Sequence, residues 1–190
     1  MEAPKVTVNV AVLDNDALQP ALRKGELDIA FTHTNQFAEP DVTLELLRKD
    51  EFVVYCASTH RLARHRSITI DELAQERFAV ATSAVGAFGS LLSLRQAFHQ
   101  RGLPAPRIAL ASDLVMFKLR AVASSDLIGV ALKGNVHPFA TQFRLKILPV
   151  KGLDWIRPAA VAYRKDAYLS PAARRFIDIL KATAREASRV

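Results

Sequence analysis

Cysteine is almost missing from this chain. The single thiol in 190 residues, Cys56, excludes an internal disulfide and agrees with a reducing compartment. It sits in the strand-like run FVVYCAS and reads as a buried structural thiol. Catalytic work would need a neighbouring base and a lowered pKa, and the sequence shows neither. Glycine is scarce as well, at seven residues. None of them forms a G-x-x-x-x-G-K-S phosphate loop, a G-x-S-x-G elbow or a glycine-rich dinucleotide fingerprint. No run approaches the roughly 18 apolar residues of a membrane span, and no basic-then-apolar segment with a cleavage site opens the chain, so a cytoplasmic protein without a membrane partner is expected. The five histidines, His33, His60, His65, His99 and His137, lack metal-ligand spacing and have no cysteine cluster beside them. Neither a metal nor a cofactor is expected.

What is present is apolar. Half of the residues are hydrophobic and 24% are charged, enough to bury a core in one or two units and too few charges for disorder. Lys plus Arg exceed Asp plus Glu by 26 to 19, a net charge of +7. The excess is scattered in pairs such as Arg23-Lys24, Arg48-Lys49 and Arg174-Arg175, with acidic residues between them. That pattern is a solvated surface, and no basic helix carries base-reading polar residues, so direct DNA contact by this chain is not expected.

Residues 22–31, LRKGELDIAF, carry the most information. An amphipathic helix ends, Gly25 supplies a left-handed turn that only glycine adopts without steric cost, and the run Leu27, Ile29, Ala30, Phe31 opens a buried strand. Upstream, KVTVNVAVL at 5–13 alternates and reads as a first strand. Asp14, Asn15 or Asp16 can cap the next helix; with Asp16 as the cap, Pro20 falls in its first turn. Further strands are expected at 27–32, 42–47, 51–57, 78–81, 107–111, 127–132, 144–150 and 158–164. The charged turn Arg48-Lys49-Asp50 separates 42–47 from 51–57. Helices are expected at 70–75, at 84–101 with Gly102 as its stop, after a Ser112 cap, and at 170–187. Strands alternating with helices argue for parallel sheets joined by right-handed crossovers.

The LRKGELDIAF stretch resembles the L-x-x-G-E-L-D pattern of the effector-binding domain of LysR-type transcriptional regulators. Three more segments match in the same order: His60-Arg61-Leu62-Ala63 with ITIDEL at 68–73, VASSDLIGVAL at 122–132, and LSPAARRFIDILK at 169–181. The resemblance implies an α/β fold of two Rossmann-like lobes, of the type 2 periplasmic-binding-protein kind, with a ligand cleft between them. It implies that the lobes exchange chain near Tyr55 to Ser58 and near Lys133 to Pro138, giving 1–56 with 137–190 as lobe one and 57–136 as lobe two. The family domain begins with a strand and helix upstream of the segment that starts here at Pro4, preceded by a helix-turn-helix. The chain is therefore expected to be a fragment, or the product of a truncated gene, of a regulator whose DNA-binding half lies elsewhere. DNA would be a partner only through that absent domain. A homodimer or higher homo-oligomer is also implied, with the strand Lys5 to Leu13 and the helix ending at Lys24 meeting lobe two of a partner.

Ligands of open α/β sheets bind beyond the carboxyl ends of strands, near helix N-termini. Thr32, His33 and Thr34 follow one expected strand, Thr82 and Ser83 another, and Ser112 a third. Their hydroxyls can donate to a carboxylate without burying an ammonium. The resemblance implies an effector, a small organic anion, among Thr32, His33, Thr82, Ser83 and Ser112. Each also has a plain structural role: Ser83 and Ser112 as helix caps, the threonines as strand ends, Phe88 as core rather than pocket wall. The leading reading is an effector-sensing regulatory domain. A solute-binding protein of a transport system is the alternative with the same architecture, and an enzyme would place acid or base roles on Asp113, His33 or Asp14.

Overall fold

The computed structural model describes residues 6–13, 15–33, 40–81, 89–153 and 155–187. The chain divides into unit one, Met1–Lys49 with Arg157–Val190, and unit two, Asp50–Ile156. Both divisions fall away from the expected exchange points. Phe52 to Tyr55 pair with a unit-two strand, and Leu145 to Ile147 pair back onto Tyr55 to Ala57, which keeps both segments in unit two.

Unit one begins with a correction. Residues 6–13 have no regular secondary structure and are exposed, Val10 at 85% and Val12 at 97%. Their alternation is a genuine strand pattern, but a strand needs a neighbour to accept its ladder, and no described strand pairs with this one. Helix α1 spans Asn15–Lys24 and buries Leu18, Ala21 and Leu22. Its earlier start places Pro20 inside the helix, not in the first turn, and removes one internal hydrogen bond. Asp14 lies outside the described residues. The helix ends as expected: Gly25 has φ +75°, its N–H donates to Leu22 O at 3.2 Å, and Glu26 N–H donates to Ala21 O at 2.9 Å, the paired bonds of a Schellman motif.

Strand β1, Ala30–His33, runs antiparallel to β7, Ile156–Arg164, with Ala30 opposite Ala162 and Thr32 opposite Ala160. Leu18, Leu22, Ala30 and Ala162 form the core here, with Leu27, Val42 and Leu44 against them. Helix α6, Pro171–Ala187, is capped by Ser170, whose Oγ accepts the Ala173 N–H at 3.1 Å while Pro171 takes the first helical position. Tyr163 Oη donates to Glu45 Oε1 at 2.6 Å, and Lys181 Nζ donates to Glu45 Oε2, tying β7 and α6 to the segment around Glu45.

Strand β2 is one ladder of sixteen residues, Val42–Ala57, where the sequence suggested two strands and a turn. Arg48, Lys49 and Asp50 are polar but include no glycine or proline to reverse the chain, and polarity alone does not end a strand. In unit two the order is β6-β2-β5-β3-β4, with β3 at Arg77–Val80, β4 at Arg107–Ala111, β5 at Ile128–Leu132 and β6 at Leu145–Ile147. Only β4-β3-β5 are parallel; β5 and β6 lie antiparallel to β2. The expectation of purely parallel pairing fails at the strands that carry the exchange.

Alternating side chains build two cores on the two faces of this sheet. Val54, Cys56, Phe78, Val80, Ile128 and Val130 face α2, Ile70–Leu73, and α3, Ser90–His99, with Phe78 and Phe98 edge to face at 5.8 Å. Tyr55, Ala79 and Ala131 face Leu119 and Val122 of α4, Val115–Ala123. Gly129 lies under the Tyr55 ring, where no larger residue fits. Helix α2 has a full capping box between Thr69 and Glu72. Helix α3 stops before Gly102, at φ +65°, as expected; Ala84 to Phe88 lie outside the described residues. A short helix α5, Lys133–Val136, follows β5 without a clear sequence signal.

Candidate functional site

Of the expected residues, Thr32, His33 and Ser112 lie at strand ends. Thr32 is next to last in β1, 5% exposed, and its Oγ1 has no hydrogen-bond partner among the described residues. A buried hydroxyl without a partner loses its hydration with no return, and an ordered water or a ligand can supply the missing bond. His33 follows it, half-buried, opposite Ala159. Thr34, Thr82 and Ser83 lie outside the described residues.

In unit two, Ser112 stands just beyond β4 and donates its N–H to the carbonyl of Val80, the last residue of β3, at 3.0 Å. The ends of two parallel strands and the approach to α4 therefore meet at Ser112. It is not the cap of α4: that helix begins at Val115 after Leu114, and Ser112 Oγ accepts the Leu114 N–H at 3.2 Å in a local turn ahead of it. The hydroxyl proton is still available to donate. Ser90, 2% exposed, accepts the Ala81 N–H at 3.4 Å and so ties the end of β3 to α3.

Lys118 was not among the expected residues. It is 4% exposed on α4, and burial holds its ammonium below the usual lysine range while Asp113 draws it partly back. The available signal was spacing, because Val115, Lys118, Leu119 and Val122 share one helical stripe.

Other polar clusters are structural. His60 is buried: Nδ1 accepts the Leu62 N–H at 3.1 Å and Nε2 lies 3.6 Å from Glu76 Oε2, while Arg61 ion-pairs with the other Glu76 oxygen. His65 is paired with Glu72 at 3.3 Å. Cys56 is buried and its thiol is pushed up to about 11 by that burial, so it is protonated and inert at neutral pH. Among the described residues no group of His, Cys, Asp or Glu could hold a metal ion, and no helix is long and apolar enough to cross a membrane.

A family model described as LysR substrate binding domain matches residues 1–185. Over 183 residues the chain is 27% identical to the HTH-type transcriptional regulator GbpR of Azospirillum brasilense, covering 94% of this chain and 52% of that protein. The chain thus spans about half the length of that curated relative. Among solved structures it is similar to the CcmR regulatory domain of Synechocystis PCC6803 in complex with 2-PG, at TM-score 0.80 and 21% identity over 96% of this chain and 86% of that one. It is also similar to the effector-binding domain of QuiR in complex with shikimate, at TM-score 0.70 and 21% identity over 91% and 79%. The regulatory domain of MetR, a LysR family regulator from N. meningitidis, matches at TM-score 0.72 and 18% identity over 95% and 81%. These likenesses show the fold: an open α/β sheet with helices, of the type 2 periplasmic-binding-protein kind.

Proposed function

Since the chain belongs to the LysR substrate-binding domain family, a family of regulatory effector-binding domains and not of enzymes, we propose that its effector is a small organic anion held between two lobes. Thr32, His33, Thr82, Ser83 and Ser112 contact it at the carboxyl ends of their strands. The observation that carries this reading is the buried Thr32 hydroxyl without a hydrogen-bond partner among the described residues. Ser112, at the junction of β3, β4 and the approach to α4, supplies a second hydroxyl. Effector binding acts on the rest of the regulator through its different affinity for two states of the domain. A helix-turn-helix domain outside this chain reads DNA, as the name of GbpR supports for a protein about twice as long. The solute-binding reading gives way to this one because both the family model and GbpR belong to regulators.

The chain also self-associates in this proposal. The exposed valines of 6–13, alternating and unpaired within the described chain, offer a strand-forming segment to a second copy.

Calorimetry against small carboxylic acids, including shikimate and 2-PG, tests the effector site. Thr32→Val and Ser112→Ala each remove one hydrogen bond to a charged group, which lowers affinity about tenfold to a hundredfold. The melting temperature should hold for Thr32→Val, since its hydroxyl bonds to nothing described. Unchanged affinity in both variants would refute the site.

A further inference from the structure

The buried stripe of α4 holds one residue that a helix packed on a sheet does not call for. Val115, Lys118, Leu119 and Val122 follow the i, i+3, i+4, i+7 spacing of a core-facing side, and Leu119 and Val122 are fully buried. Lys118 lies among these positions at 4% exposure. An ammonium there loses most of its hydration, and the loss disfavours the charged form unless an anion accompanies it. Among the described residues no acceptor hydrogen-bonds to its Nζ and no carboxylate forms an ion pair with it. Asp113 acts on it only at a distance, and more weakly than burial does.

The same end of α4 is already marked by geometry. Ser112 is bonded to the end of β3, follows the end of β4, and keeps a hydroxyl proton to donate. Lys118 is the fourth residue of the helix that begins three residues later. We propose that Lys118 is the cationic anchor of the effector site, taking the anionic oxygens of a carboxylate or phosphate group on the unit-two side. The proposal rests on the effector reading above and specifies the charge that the site requires. Hydroxyls alone would accept a neutral polyol as readily as an acid; a buried ammonium selects the acid.

Lys118→Met keeps the length and apolar stem and removes the charge; Lys118→Arg keeps the charge. Calorimetry of the whole chain with inorganic phosphate, 2-PG and shikimate, beside thermal melting, separates the possibilities, and the phosphate-bearing and carboxylate-only probes show which oxyanion is preferred. The expected result is a tenfold to hundredfold loss of affinity in Lys118→Met, part of it recovered in Lys118→Arg, with the melting point of Lys118→Met equal to or above that of the wild type. Two results would overturn the anchor alone: anion binding that survives Lys118→Met but is lost in Thr32→Val, or a lower melting point in Lys118→Met that a second change, Asp113→Asn, restores. If none of the three probes binds the unaltered chain, both the anchor and the anionic effector fall together.

Discussion

Adding a single methyl group at Gly129 tests the packing of unit two where a glycine lies against a buried ring. A Cβ built there would overlap Cζ and Cε1 of Tyr55 and lie 2.6 Å from Cε2. Carbon atoms rest at about 3.5–4.0 Å, so the ring would have to retreat by about 1 Å or more. It has nowhere to go: Tyr55 is fully buried and packs with Leu119, Val122, Val136 and Leu145. Overpacking of this kind costs about 1–3 kcal/mol, and the immovable ring places Gly129→Ala near about 3 kcal/mol. For a chain of this size that is a fall of roughly 6–12 °C in melting temperature. Truncating the ring opens the space, so Tyr55→Ala, costly alone at about 3–5 kcal/mol by analogy with other large aromatics, should combine with Gly129→Ala at less than the sum by about 1 kcal/mol or more. Urea unfolding followed by fluorescence of Trp155, which packs against the opposite core of the same unit, measures each term. Gly129→Ala within about 0.5 kcal/mol of the unaltered chain, or strict additivity of the pair, would refute the argument.

Two further outcomes follow from the polar clusters. Glu76→Ala leaves buried His60 and the Arg61 guanidinium without their carboxylate, and should lower unfolding stability by about 1–3 kcal/mol in urea at neutral pH. Glu45 is held below the ordinary carboxylate value first by the Lys181 hydrogen bond and then by Tyr163. A depressed native pKa contributes stability above the unfolded value that is lost as pH falls through the native one, so acid melts between about pH 5 and pH 2 should be shallower for Lys181→Met than for the unaltered chain.

Local chemistry was legible wherever one residue decides the backbone. Gly25 and Gly102 end their helices with positive φ, as their positions indicated. The core faces of β3 and β5 follow their alternation. Failures came where the outcome depends on a partner far along the chain. Val6 to Leu13 has the pattern of a strand but no described neighbour to pair with. Arg48 to Asp50 reads as a turn until the long ladder around it is known. Ser112 has the residue type and position of a cap, yet the helix starts later and its hydroxyl serves a local turn. Of the proposed site, Thr32, His33 and Ser112 could be placed at strand ends because strand ends are visible in sequence. Lys118 could not, since burial of a lysine reverses the ordinary expectation for a charged side chain.

The division of the chain sets a timetable for its synthesis. Unit two is one uninterrupted stretch, Asp50–Ile156, whereas unit one is made from both ends, Met1–Lys49 and Arg157–Val190. Ala30 pairs with Ala162, about 130 residues later. At ordinary translation speeds the first half of unit one therefore waits on the order of ten seconds for its partner strand, with Leu18, Leu22 and Ala30 uncovered. Unit two has all of its strands well before the ribosome reaches α6. The nascent chain thus closes its middle first and its two ends last, and the interval between is when α1 and β1 are most open to a chaperone or to another nascent copy.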